Sequence, residues 1–198
     1  SYTDRYAGRG RFVQAKATTE LTPLAHGPLA LAIGAERRRE SFATALDPLS
    51  LAGEINGVTQ ADVSAQRGVG ALFAELNWPV AARVEVQLAA RHDRYSDFGS
   101  STSPKVALRW QPTSALLVRA SSGRGFLPPT LPQQNRPRTA SEGVVDPVRC
   151  QATGEFADCL GGRGIYSQQG NPDLGAERSR QHNVGIVFAP TTGWSASL

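Results

Sequence analysis

Long apolar runs are missing from this 198-residue chain. The stretch at 29–35 falls far short of the ~18 consecutive apolar residues that a membrane-spanning helix needs, so no helix of that kind is expected. Strands are not excluded, because a spanning strand needs only about 9–11 residues with every second one apolar. Charge is sparse as well: 19% of residues are charged and 40% are hydrophobic. That balance is too apolar for a disordered chain and too polar for a bundle of membrane helices. The length by itself would allow one self-contained domain.

Clustered basic charge is also lacking, despite a formal net charge of +4 and a pI near 9.5. Apart from Arg37-Arg38-Arg39, which Glu36 and Glu40 flank, the arginines occur singly. No nucleic-acid partner is expected, since phosphate binding needs a concentrated basic face. Only two cysteines are present, Cys150 and Cys159, in a Gly-rich and Pro-flanked region without a Cys-x-x-Cys or a neighbouring His. A zinc site would need about four ligands, so the better reading is a local disulfide in an oxidising compartment, with two free thiols as the alternative. The chain opens on Ser1-Tyr2-Thr3-Asp4 with neither a charged nor an apolar leader segment. Either a signal was removed or the sequence begins within a longer protein.

What the chain has in abundance is alternation of period two. Val13, Ala15, Ala17, Thr19 and Leu21 oppose Phe12, Gln14, Lys16, Thr18 and Glu20. Leu29, Leu31, Ile33 and Ala35 oppose Ala30, Ala32, Gly34 and Glu36, with the polar face continuing through Arg38 and Glu40. The same pattern predicts hairpins over 72–91 and 105–121, and a further one from 183 that runs to the end of the chain. Breaker segments at 23–28, 79–83, 112–114 and 190–193 read as short turns. At the other ends of the strands, longer loops are expected at roughly 43–66, 96–103 and 127–176.

Short turns at one end and long loops at the other are the connectivity of outer-membrane barrels. The expected fold is therefore all-β: an antiparallel meander of about eight strands, part of a larger transmembrane β-barrel. Lys16, Glu20, Glu36, Glu75, Glu85, Arg91, Lys105, Arg109 and Arg119 would fall on one face, lining a wet interior. Trp78, Trp110 and Trp194 lie at or next to the short turns, where an aromatic girdle would sit. The competing reading is a soluble antiparallel sheet with one solvated side, acting as a β-rich binding module.

Catalytic and metal signals are absent. His26, His92 and His182 lack metal-ligand spacing, no nucleophile elbow occurs, and the glycine groups at 8–10, 123–125 and 161–164 lack a strand-loop-helix context for phosphate. No enzyme activity, metal or cofactor is expected. Asp93 and Asp97 flank Tyr95 beside Gly99, where the simplest reading is a solvated hairpin end that Gly99 lets reverse.

Four stretches carry a resemblance: Ala-Leu-Phe-Ala-Glu-Leu-Asn-Trp-Pro at 71–79, Ala-Ala-Arg-His-Asp-Arg-Tyr-Ser-Asp-Phe-Gly at 89–99, Ser-Pro-Lys-Val-Ala-Leu-Arg-Trp-Gln-Pro at 103–112 and Arg-Ala-Ser-Ser-Gly-Arg-Gly-Phe-Leu-Pro-Pro-Thr-Leu at 119–131. Together with Asn-Pro-Asp-Leu-Gly-Ala-Glu at 171–177, they resemble the barrel region of TonB-dependent outer-membrane receptors. The resemblance implies a bacterial outer-membrane protein, in contact with membrane lipid, that imports a scarce ligand, most often a ferric siderophore, with cobalamin or haem as other cargoes. It further implies that 1–198 is a partial barrel domain, since the family's plug, its TonB-contacting segment and its terminal strand have no counterpart here and its barrels have about 22 strands. Ligand contacts would fall in the long loops and their rims, at Arg94, Tyr95, Arg124, Phe126 and Tyr166. A small closed outer-membrane barrel with a structural or adhesin role is the alternative.

Overall fold

The computed structural model describes residues 2–55, 58–59, 61–137, 139–142, 145–159 and 165–198, without the side chains of 58–59, 139–142, 157 and 165–167. The glycine group at 161–164 lies outside the described residues. Strands β1 (Arg5–Leu24) and β2 (Gly27–Ala45) lead through α1 (Pro48–Leu51) and β3 (Val58–Thr59) to β4 (Ser64–Ala81). Strands β5 (Val84–Tyr95), β6 (Gly99–Thr113) and β7 (Leu116–Leu127) follow. Then come α2 (Leu131–Asn135), β8 (Thr139–Glu142), α3 (Pro147–Thr153), α4 (Phe156–Cys159) and β9 (Ile165–Gln168), before β10 (Glu177–Thr191) and β11 (Trp194–Ser197). Eight strands form one sheet in the order β1-β2-β4-β5-β6-β7-β10-β11, and β3-β8-β9 form a second. The expected eight-stranded antiparallel meander is what the chain forms. Contacts divide the chain into two units, 11–39, 68–128 and 176–198 in one, 1–10, 40–67 and 129–175 in the other.

In the first unit the strands are joined at one end by two-residue turns at 25–26, 82–83, 114–115 and 192–193. These are tighter than the breaker segments suggest, because the strands run on through their prolines. Three hairpins slip register there: between Pro79 and Ala81, between Trp110 and Thr113 across Pro112, and between Phe188 and Thr191 across Pro190. Proline brings no N–H to the ladder, and a bulge absorbs the missing bond. Arg83 takes a left-handed φ of 68° in its turn, and its guanidinium donates to Pro112 O at 2.8 Å.

The expected long loop at 96–103 is corrected to a three-residue turn at 96–98, with β5 and β6 paired up to Tyr95↔Gly99. Residues 100–103, Ser-Ser-Thr-Ser, offer no apolar contrast by which to recognise a strand, yet their backbone pairs with β5 from Arg94↔Ser100 to Arg91↔Ser103. Gly99 has a φ of 107°, which glycine adopts freely.

Register fixes the two faces. Trp78, Val86, Leu108, Ala120 and Val184 stand in one cross-strand row, and Glu85, Arg109, Arg119 and Gly185 in a row on the opposite face. Glu75 and Lys105 share the second face through Ala89, and Lys16 and Glu20 share a concavity there with Glu75 and Asn77. The nine charged residues assigned to one face by alternation all lie on it. Gly34 also points to this face, where a Cβ would meet the Phe73 ring and come within 2.8 Å of Ala15 O.

In the second unit, the segments read from sequence as loops 43–66 and 127–176 hold short elements. Asp47 caps α1 by accepting from Leu49 N at 3.0 Å, and Thr130 and Gln133 form a capping box around α2. Leu131 and Gln134 of α2 are buried. Cys150 and Cys159 join α3 to α4 by a disulfide, as expected, and buried Asp158 accepts from Thr153 Oγ1 at 2.8 Å beside them.

Two outcomes are expected. Gly34→Ala should cost the intact protein about 1–3 kcal/mol of unfolding free energy by overpacking. Gly70→Ala, which meets open space, should stay within about 0.5 kcal/mol in the same urea titration. Iodoacetamide should label neither cysteine until a reductant is added.

Candidate functional site

The loop-side end of the first unit holds an aromatic cluster. The ring of Tyr95 lies 4.4 Å from that of Phe98 and 5.9 Å, edge on, from that of Phe126. Tyr95 is 6% exposed, and these rings cover part of it. The cluster forms because β5 and β6 reverse over three residues, which brings Phe98 back over Tyr95, while β7 extends to Leu127.

Below the cluster, on the interior face, runs an ionic ladder. Arg91 Nε contacts both carboxylate oxygens of Asp93 at 3.0 and 3.1 Å, Arg91 Nη2 lies 3.3 Å from Glu36 Oε2, and Arg38 Nη1 donates to Glu36 Oε1 at 3.1 Å. The Arg91 guanidinium also sits 5.8 Å from the centroid of the Phe73 ring. Asp93 is 3% exposed, which corrects its reading as a solvated hairpin end. Its neighbour two positions back on the same face is a cation, and the partly exposed Arg91 guanidinium compensates the buried carboxylate.

The sequence candidates do not all converge. Tyr95 and Phe126 are together, whereas Arg94 is exposed on the face opposite Tyr95, one residue along a strand being a change of side. Arg124 is exposed beside Arg180, its register partner on β10. Tyr166 pairs in register with Ser141, and its side chain lies outside the described residues. Phe98 was missed, although an aromatic three residues after Tyr95 and before a turn glycine is the signal that locates it. In the second unit, Arg67 is 8% exposed, with Nε 2.7 Å from Glu40 Oε2 and Nη1 donating to Pro129 O at 2.6 Å. No local pattern marks Arg67, because its partners are distant in sequence.

A family model described as TonB dependent receptor-like, beta-barrel, matches residues 1–198. The chain belongs to this family. A related protein, the iron-regulated outer membrane virulence protein of Vibrio cholerae, is 26% identical over 126 residues, covering 64% of this chain and 16% of that protein. A ferric enterobactin receptor of Pseudomonas aeruginosa superposes with a TM-score of 0.73 at 22% identity, over 97% of this chain and 26% of that one. The siderophore receptor PirA of Acinetobacter baumannii gives 0.67 at 19% identity, over 98% and 26%. These likenesses establish the fold, and the chain spans about a quarter or less of the length of these relatives.

As a TonB-dependent receptor barrel, the wall lies in the bacterial outer membrane, with its apolar face to lipid and its charged face to the interior. No helix among the described residues is long and apolar enough to cross a membrane, and the strands make the crossing. Trp78, Trp110 and Trp194 stand on or beside the turn-side end, 44%, 46% and 55% exposed, forming the aromatic girdle, and Trp194 packs edge on against Phe188 at 6.1 Å. At the loop side the apolar band ends on Leu72 in β4, Ala90 in β5 and Ala120 in β7, successively lower hydrogen-bonded rows. An oblique boundary is what strands tilted by roughly 35–45° require. The family is one of receptors and transporters.

The ladder is testable in the full-length receptor. Arg91→Met should cost about 1–3 kcal/mol by stranding Asp93, and Asp93→Asn in that background should recover part of the loss. Strictly additive single and double changes in a denaturant cycle would contradict the coupling.

Proposed function

We propose that this chain is part of the barrel of a TonB-dependent importer of a ferric siderophore. The observation that carries this reading is the superposition of 97% of the chain on a ferric enterobactin receptor that has also been solved with enterobactin bound. The iron-regulated relative from Vibrio cholerae points the same way. On this reading residues 1–198 are a partial barrel domain. The remaining strands, the plug and the segment that engages the TonB complex come from the rest of a longer polypeptide, and the outer surface is solvated by membrane lipid.

Capture of a bulky aromatic chelate suits the rim. Phe126, backed by buried Tyr95 and by Phe98, offers an aromatic surface against which catechol-like rings stack. The ladder beneath holds β5 in place, so the rings are presented by a rigid strand end.

Tyr95→Ala and Phe126→Ala in the full-length receptor should each weaken ferric siderophore binding roughly two- to tenfold, the range that follows from about 0.5–1.5 kcal/mol per aromatic contact. Uptake of iron-55 complexed to enterobactin-type siderophores should depend on both this gene and an intact TonB complex. Uptake that persists without either would rule the proposal out.

A further inference from the structure

The connection between β7 and β10 carries a small knob, residues 145–159, that has no apolar core. Helices α3 and α4 hold seven and four residues, and helices so short are marginal in water. Val145, Val148 and Phe156 are exposed, and among the described residues of the knob the buried side chain is the carboxylate of Asp158. Asp158 accepts from Thr153 Oγ1 at 2.8 Å and lies 3.9 Å from Arg149 Nε, while Asp146 N donates to Asp158 O at 3.2 Å. Taking a carboxylate out of water opposes the folding of so small a body. The bond between Cys150 and Cys159, across a separation of nine positions, offsets that cost by constraining the unfolded segment.

The knob also closes a hairpin. Strands β8 and β9 pair from Thr139↔Gln168 to Glu142↔Ile165, and the chain between them runs through α3 and α4. On its other edge β8 pairs with β3, at Val58↔Ser141 and Thr59↔Ala140. Since β3 belongs to the connection between β2 and β4, this three-stranded sheet ties together two connections far apart in sequence. Strands of two and four residues do not hold such a sheet by themselves. Bringing β8 and β9 together costs loop entropy, and the disulfide shortens the loop that must be closed.

We infer that the Cys150–Cys159 bond is a redox-sensitive clasp, whose reduction by a low-molecular-weight thiol unfolds α3 and α4, releases β8 and β9 from β3, and lowers capture of the ferric chelate. Both cysteines are partly exposed, so a small thiol reaches them. Its thiolate attacks one sulfur and breaks the S–S bond, giving a mixed disulfide and a cysteine thiolate, and a second thiol then displaces the other cysteine. Two electrons pass to the protein's sulfurs, two protons go from the thiols to Cys150 and Cys159, and the small thiols leave as their own disulfide. The chemistry of the cargo gives the clasp a purpose. Thiol-rich surroundings hold unchelated iron in the ferrous state, where a ferric chelator has little to collect. The effect on capture rests on the proposed importer role, whereas the opening of the clasp does not.

The test uses the full-length receptor in detergent, with backbone hydrogen exchange read by mass spectrometry before and after dithiothreitol and again after reoxidation by oxidised glutathione. The amides of Cys150, Gly154 and Cys159, which donate within the knob, and those of 139–142 and 165–168 should exchange roughly tenfold to a hundredfold faster when reduced, then recover. Those of β5 and β6 should not change. C150S/C159S should exchange fast from the start and ignore the reductant, and reversible reduction of the wild type keeps the test decisive should that variant fail to fold. Ferric enterobactin binding, measured after the dithiothreitol is removed without air, should weaken severalfold, because the fraction of receptor with a formed sheet falls. Exchange that stays slow on reduction would overturn the clasp, as would an opened sheet that leaves binding unchanged. A receptor that binds no ferric enterobactin even when oxidised refutes the proposed cargo, and exchange alone then decides the clasp.

Discussion

Every backbone N–H and C=O that enters hydrocarbon must find a partner within the protein, and the rest of this wall follows from that requirement. Paired strands meet it, and paired strands impose a period of two on their side chains. With lipid on one side and water on the other, each residue is committed to one of two solvents, and a shift of one position reverses the commitment. The ladder of Arg38, Glu36, Arg91 and Asp93 exists because all four fall on the same parity of neighbouring strands. The tryptophans at the turn end and the exposed Arg37, Arg39, Arg94, Arg178 and Arg180 at the loop end mark the two edges of the hydrocarbon on the other parity.

Prolines show how this constraint is relaxed locally. At Pro79, Pro112 and Pro190 the lost bond lies next to a turn, where a bulge absorbs it at the water boundary. At Pro104 it lies within the strand, and the ladder between β6 and β7 stops one residue short of it, at Lys105↔Gly123. One residue type thus gives tight hairpin ends in one place and the end of a ladder in another, according to its position along the strand.

The wall was largely legible in the sequence, since alternation such as Val13 to Leu21 against Phe12 to Glu20 states both strand and face. Legibility failed where the chemistry carries no contrast. Ser100 to Ser103 look alike on both parities, so a paired strand there read as a loop. The elements within 43–66 and 127–176 are too short to show any period, although the Thr130 and Gln133 spacing announces one helix start. At the candidate site, alternation separates Arg94 from Tyr95 without any structure, whereas the burial of Asp93 and Arg67 depends on partners that strand pairing or distant loops supply.

The one-sided distribution of arginine also bears on how the wall reaches its place. The loop end has to traverse the hydrocarbon during assembly, and an arginine at the midplane costs about 2–4 kcal/mol. Neighbouring strands each carry one or more, so unassisted passage of isolated hairpins is slow, and entry favours a locally thinned or catalysed membrane site. The same penalty opposes the return journey. Once the guanidinium groups reach the far headgroups, the barrel is held there as by a ratchet, kinetically as well as thermodynamically.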